Sequence, residues 1–407
     1  MKILYLTKNL KINGSQIDRF VFCFVVLDLM FLPYVRLLYS SFSMLILPFW
    51  FLFRFKVLVK DLDFQLFSFG IFFLIFSFLY SYIGYSSGFY MRDGSPGYPL
   101  QMLPNLVITM YMLVYFIFFK SIIYRYSISV QRYLFYYIAF VFVLVVIFFN
   151  DPTKYFQLRS FWTMSGNVIQ FSEFSSTFRF TGTLSDPNNI GSLICAVMAF
   201  LIFNTKINLL GKLVLLVLSF LAVIATMSTT GLVLFFMVAL AFLVQQINLQ
   251  GVSYSKALLK VGYLLVFSFF LVFLISYVAE TEIGNISYDR SAGNSIDSRY
   301  EIWKKSFNLE KIVRSLVIGD GGLTIIDGKV INPHSGHLYL LYAYGFIFYL
   351  IFLYVFFVSS CKFLSFRQVF FIPIFICFTV NVGIYELRFS GLMALMIAAH
   401  KVYLIKK

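Results

Sequence analysis

From Phe64 to Gly84 the chain runs without one charged side chain. A transmembrane helix needs roughly 20 mostly apolar residues, because hydrocarbon offers the backbone no hydrogen-bond partner outside the helix. Few other sequence features restrict a fold as much. Read with that ruler, the sequence holds about twelve such stretches. They lie near 18–35, 39–53, 64–84, 101–119, 133–149, 188–204, 208–226, 230–246, 258–278, 336–358, 367–385 and 389–405. Composition agrees: the chain is 61% hydrophobic and 12% charged, against about half and a quarter in soluble domains. The sequence reads as an all-α polytopic membrane protein, one integral membrane domain over 1–407.

The net charge of +15 would suggest nucleic acid in a soluble protein. Here the basic residues fall in short connections, as they do on the cytoplasmic side of membrane proteins, so no nucleic-acid partner is expected. With the N-terminus inside, the inner connections hold Lys2, Lys8, Lys11 and Arg19; Arg54, Lys56 and Lys60; Lys120, Arg125 and Arg132; Lys206 and Lys212; Lys256 and Lys260; Lys362 and Arg367; and Lys401, Lys406 and Lys407. The short outer connections hold only Arg36, Arg92 and Arg388. Both termini are then cytoplasmic. The basic start, Met1 to Arg19, is followed by no small-residue cleavage site, which indicates a first span rather than a removed signal peptide. Cys23, Cys195, Cys361 and Cys377 lie in or beside apolar runs without CxxC spacing and read as packed thiols. Within the spans, Asp28 is the clear charged exception.

Two outer segments are long, 150–187 and 280–335, and their cations need another reason. The first holds Lys154, Arg159, Trp162 and Arg179, then Asp186-Pro187-Asn188. Those three are turn residues that also open a helix, whose free N–H groups would face outward. Arg179 beside that terminus suggests an anion site; an interfacial arginine reaching lipid headgroups is the alternative. Thr226-Met-Ser228-Thr229-Thr230-Gly231 follows at a tight outer turn. Its hydroxyls suit sugar or phosphate oxygens, or the turn's own backbone.

In the second segment, Ser298 and Glu301 have capping-box spacing. Tyr300, Trp303 and Phe307 form one stripe of a short amphipathic helix, with Arg299, Lys304 and Lys311 off that stripe. Gly319-Asp320-Gly321-Gly322 allows a turn, and Asn332-Pro333-His334 returns the chain to an apolar run. The alternative is an ordinary solvated loop. Of three histidines, His400 near the inner end of the last span reads as structural. His334 and His337 share a helix face. With no carboxylate or cysteine ligands nearby they make a weak zinc site, so no metal is expected, while His334 suits a general base.

These segments resemble a known family. Arg179-Phe-Thr-Gly182-Thr183-Leu-Ser-Asp-Pro187-Asn188 resembles the R-x-x-G-T-x-x-x-P-N stretch of the O-antigen polymerase and ligase superfamily. Thr226 to Gly231 is similar to its Thr/Ser-rich turn, although Thr229 stands where an arginine is common. Ser298-Arg299-Tyr-Glu-Ile-Trp303 resembles its S-R-x-x-x-W segment, and Ile318-Gly319-Asp-Gly321 the glycine turn that follows. Pro333-His334-Ser-Gly-His337-Leu-Tyr339 through Gly345 resembles its H-N-x-Y-L-x-x-L-x-x-x-G signature, with Ser335 replacing a common asparagine. The resemblance covers roughly 170–360.

The resemblance implies a metal-independent GT-C-like glycosyltransferase of the bacterial inner membrane, needing no cofactor. Donor and acceptor would be glycans on undecaprenyl pyrophosphate, and a chain-length-regulating membrane protein is a candidate partner. Arg179 and Arg299 would pair with the pyrophosphate and His334 would take the proton of the attacking sugar hydroxyl. His337, Asn188, Thr183, Ser228, Thr230, Trp303 and Tyr339 would bind substrate. Polymerase is favoured over ligase, which would move the finished glycan to lipid A core. Glu173, Asp186, Asp320 and Glu386 are each open as a helper carboxylate or as solvated loop residues. A lipid-linked oligosaccharide flippase remains a different class, one expected to carry charges inside its spans and often internal repeats.

Overall fold

The computed structural model describes residues 14–33, 41–85, 88–91, 94–162, 179–184, 186–247, 309–326, 328–330, 335–360, 365–380 and 386–406. Helices α1 (Gly14–Met30), α2 (Phe42–Leu58), α3 (Leu62–Gly84), α4 (Leu103–Tyr126) and α5 (Val130–Asn150) run back and forth. A short α6 (Pro152–Arg159) precedes α7 (Pro187–Asn204), α8 (Leu209–Ala225) and α9 (Thr229–Ile247). Then follow α10 (Leu309–Arg314), α11 (Gly336–Tyr344), α12 (Phe346–Phe356), α13 (Phe371–Val380) and α14 (Leu387–Lys406). Four two-residue strands, β1 (Phe89–Tyr90), β2 (Pro96–Gly97), β3 (Ile325–Ile326) and β4 (Lys329–Val330), pair in the order β2-β1-β4-β3.

Among the described residues six helices are long and apolar enough to cross a membrane: Leu62–Gly84, Pro99–Tyr126, Val130–Asn150, Pro187–Asn204, Thr229–Gln246 and Leu387–Lys406. The chain is an all-α, multi-pass membrane protein. The other expected stretches fare differently. Those at 18–35, 39–53 and 208–226 form 17-residue helices. The one at 336–358 is broken at Gly345, whose φ of +86° no helix accommodates. Only Phe371–Val380 of 367–385 is a described helix, and 258–278 lies outside the described residues.

Local chemistry explains the helix starts. The Asp61 side chain caps α3 by accepting from the Asp63 and Phe64 amides, Asp186 caps α7 with Pro187 in the first position, and Asn208 caps α8. The core gathers around α7 and α14. Helix α7 is buried from Asn189 to Phe203 and packs on α5, α8, α9, α13 and α14. Helices α7 and α9 approach closely through Gly191 and Gly231, the small-residue contact that lets membrane helices pack without a hydrophobic driving force. Helix α14 lies along α4 and also touches α1. By contrast α2 and α3 expose apolar side chains, Phe53 at 86% and Ile83 at 74%, as lipid-facing helices do.

The spans carry more charge than the sequence indicated. Lys120 and Lys401, expected in connections, lie inside α4 and α14. Lys120 Nζ sits 2.5 Å from Asp63 and 2.7 Å from Asp61, and Lys401 Nζ 2.8 Å from Asp63. Mutual neutralisation lets these helices keep cations that a hydropathy window assigns to water. This cluster, Lys406 on Ser127 and Asn204 on the Arg367 carbonyl mark one end of the bundle. The opposite end is marked by Trp162 donating to Phe31 O, Arg388 to Leu32 O and Asn189 to Glu386.

Candidate functional site

At this opposite end the chain leaves 163–178 and enters at Arg179. The Phe180 amide donates to Ala225 O at 2.9 Å, pinning the segment against the α8–α9 turn. Arg179 then spends its fork on that turn and on α7. Its Nε donates to Thr226 O at 2.9 Å, and one Nη to Met227 O at 3.2 Å and to Asn188 Oδ1 at 3.3 Å. Ser228 Oγ donates to the same Asn188 oxygen at 2.8 Å. Arg179, Asn188 and Ser228, up to 49 positions apart (228 − 179), thus form one contact group. The turn's carbonyls point at the guanidinium because Met227 adopts a left-handed φ of +47°.

Two expectations change here. The α7 N-terminus does not offer free N–H groups: Asp186 accepts from Asn188 N at 2.6 Å and Asn189 N at 3.3 Å, and Ile190 N returns to Asp186 O. Attraction for an anion at this end must come from side-chain cations. The turn's hydroxyls also serve the backbone, Thr226 Oγ1 donating to Val223 O and Ser228 Oγ accepting from Gly231 N. Thr230 is half-buried in the first turn of α9. Thr183 is wholly buried, its Oγ1 3.4 Å from Tyr137 OH, and Thr181 N donates to Tyr155 OH. Burial pushes the Tyr155 phenol up from its usual range.

Asn189 extends the group into the bundle. Its Nδ2 donates to Glu386 Oε2 at 2.9 Å, and its Oδ1 lies 3.6 Å from Cys377 Sγ. Glu386 is 8% exposed and Arg388 is fully buried, so the start of α14 brings a carboxylate onto Asn189 and a guanidinium onto the Leu32 carbonyl at this end of the bundle. Sequence reasoning left Glu386 as one carboxylate among four and did not single out Arg388. The available signal was that Arg388 interrupts a set of cation-poor connections.

A second group involves the glycine turn, which is not an exposed loop. Gly319 to Gly322 is threaded between α3, α4 and α11. Asp320 N donates to Tyr342 O and Gly321 N to Ala343 O, at 2.8 and 2.7 Å. Asn105 Nδ2 and Tyr339 OH both donate to Gly322 O; Tyr339 is wholly buried and serves this turn. Asp320 is buried rather than solvated. It pairs with Lys311 at 2.5 Å and accepts from Ile325 N and Tyr85 OH. Burial raises its carboxyl above the usual range even against the pull of Lys311.

His337, in the first turn of α11, places Nδ1 3.3 Å from Tyr349 OH and packs on Phe375 and Phe378 of α13. Its Nε2 is buried with no partner among the described residues. Helix α13 therefore touches Asn189 through Cys377 and His337 through its phenylalanines, which puts both groups at one end of the bundle. His334, Arg299 and Trp303, with Glu173 and most of the expected amphipathic helix, lie outside the described residues. His400 is buried against Phe370 and Phe371, as a structural residue would be. No group of three metal-ligating side chains occurs among the described residues. No family model and no curated protein matches the chain.

Proposed function

We propose that this protein is a GT-C-like polysaccharide polymerase of the bacterial inner membrane, joining undecaprenyl-pyrophosphate-linked repeat units at the outer face. The observation that carries the reading is the meeting of Arg179, Asn188 and Ser228. Two sequence segments that resemble the O-antigen polymerase and ligase superfamily converge in one hydrogen-bonded group at one end of a membrane bundle. The glycine turn and the segment from Ser335 to Gly345, which carry two further parts of the resemblance, are joined at the same end through Tyr339 and Gly322.

The reaction breaks the bond between the donor sugar's anomeric carbon and the pyrophosphate oxygen. The electron pair leaves with the lipid pyrophosphate. Arg179 and Arg299 stabilise that growing charge. The acceptor hydroxyl forms the new glycosidic bond and gives its proton to His334. Arg179 is suited to this because three backbone and amide oxygens fix its plane before substrate arrives, so little order is lost on binding.

The test is purified protein with synthetic undecaprenyl-pyrophosphate-linked repeat units. Wild type should yield a ladder of polymer. Arg179→Lys, which keeps charge but loses the fork, should slow it by about 10²–10³-fold, the usual cost of one preorganised charge-stabilising donor. Transfer to a lipid A core acceptor without any ladder would make it a ligase. Equal rates for wild type, Arg179→Lys and His334→Ala would remove the site altogether.

A further inference from the structure

At the cation-rich end, away from the glycan site, helices α1 and α2 form a groove of about 450 Å³, within the usual size of a ligand site. Its walls are Ile17, Val21, Ile46, Phe49 and Phe53 over Trp50. Ile17, Phe49 and Phe53 are exposed at 45%, 65% and 86%, so the groove opens sideways into the lipid. Its mouth is charged. Asp18 is buried and its oxygens are taken by Trp50 Nε1 at 2.9 Å, Tyr126 OH at 2.6 Å and Arg54 at 3.0 Å. Around this one carboxylate stand three guanidinium groups: Arg54, Arg125 at 3.6 Å from Asp18, and Arg19 over the Tyr126 ring at 5.6 Å. Three cations against one anion leave an excess of two positive charges where α1 begins and α2 ends. Lys56 and Lys60 are exposed beside them.

An apolar groove running inward from a net-positive mouth matches an amphiphile with an anionic head at the membrane surface and its tail along the bundle. We propose that this groove is a binding site for an anionic glycerophospholipid, its phosphate at Arg54 within the positive field that Arg19 and Arg125 add from the α4 side, and one acyl chain between α1 and α2. A zwitterionic lipid would bring its own cation to a site already in positive excess. Anionic lipids of the cytoplasmic leaflet are what a basic surface attracts. The inference stands apart from the glycosyl-transfer reading, because the groove lies at the opposite end of the bundle.

The experiment is native mass spectrometry of the full chain after exchange into an equimolar mixture of phosphatidylglycerol and phosphatidylcholine. Wild type should retain phosphatidylglycerol selectively. Arg19→Gln, at an exposed position, should cut that preference by about fivefold, as expected for one interfacial cation. Ile46→Trp, which fills the groove, should abolish retention with the thermal midpoint still cooperative. Equal retention of the two lipids would overturn the proposal. So would retention unchanged in both variants, preferential capture of undecaprenyl phosphate in competition, or a dimer that Ile46→Trp dissociates.

Discussion

Single residues at the Arg179 end act by fixing backbone as much as by offering charge. The Lys311–Asp320 pair is the clearest case, since it holds a carboxylate inside a turn enclosed by helices. Lys311→Met should cost about 3–5 kcal/mol of stability, because it leaves a buried charge alone, and Asp320→Asn in the same chain should recover much of it. The pH dependence follows from the raised Asp320 carboxyl. A group with a raised folded-state pKa holds its proton more tightly when folded. Its contribution is fully present below the unfolded value and is lost as pH rises through the folded one. Without Lys311 that folded pKa should rise further. Acidification towards the ordinary Asp range should therefore shrink the Lys311→Met penalty, and unfolding midpoints across pH in detergent check the sign. Arg179 and Asn188 were legible from the sequence because they stand beside turn chemistry. Arg388 and the burial of Asp320 were not, since Arg388 reaches Leu32 O beyond the end of α1 and the Asp320 turn is closed in by the end of α3 and the start of α4, partners more than 200 positions away in sequence.

At the scale of elements, the glycine turn shows what spacing alone could and could not convey. Four residues rich in glycine announce a turn, and nothing in them announces that helices close over it. A Cβ on Gly319 would lie 2.2 Å from Tyr344 N, and one on Gly345 would lie 2.6 Å from Val317 O. Gly319→Ala should therefore destabilise the protein by about 1–3 kcal/mol or more. Gly84→Ala, where nothing lies within 4 Å, should be close to neutral in the same unfolding measurement. Helix α7 teaches a related lesson. Asp-Pro-Asn correctly marks its start, yet the residue that marks the start also consumes the N–H groups that would otherwise have met an anion. Capping and ligand binding compete for the same donors, and here the cap is built into the chain.

For the whole molecule, hydropathy conveyed the class and most of the helices, while their lengths and charges came from tertiary pairing. Lys120 and Lys401 sit inside helices because Asp63 meets both of them, a contact between residues far apart in sequence. The contacts between helix ends sort the described connections into two sets, and the short basic connections gather at the Lys120 end. If the Arg179 end faces outward, Lys154→Cys should react with a membrane-impermeant maleimide in intact cells. Lys206→Cys at the opposite end should react only after permeabilisation. Both lysines are exposed in the fold; of the described cysteines Cys195 and Cys377 are buried and Cys23 is half-buried, so the labelling is done in a Cys23→Ser background. The reversed pattern would place the proposed site in the cytoplasm, where a glycan delivered to the outer face could not reach it. The most direct measurement of the polymerase reading is the surface-polysaccharide ladder on a gel from cells lacking this gene, complemented with wild type or with Arg179→Ala at matched membrane levels. The reading predicts a full ladder for wild type and single repeat units left on the lipid carrier for the variant. A wild-type ladder from Arg179→Ala, or long chains stranded on the carrier, would contradict it.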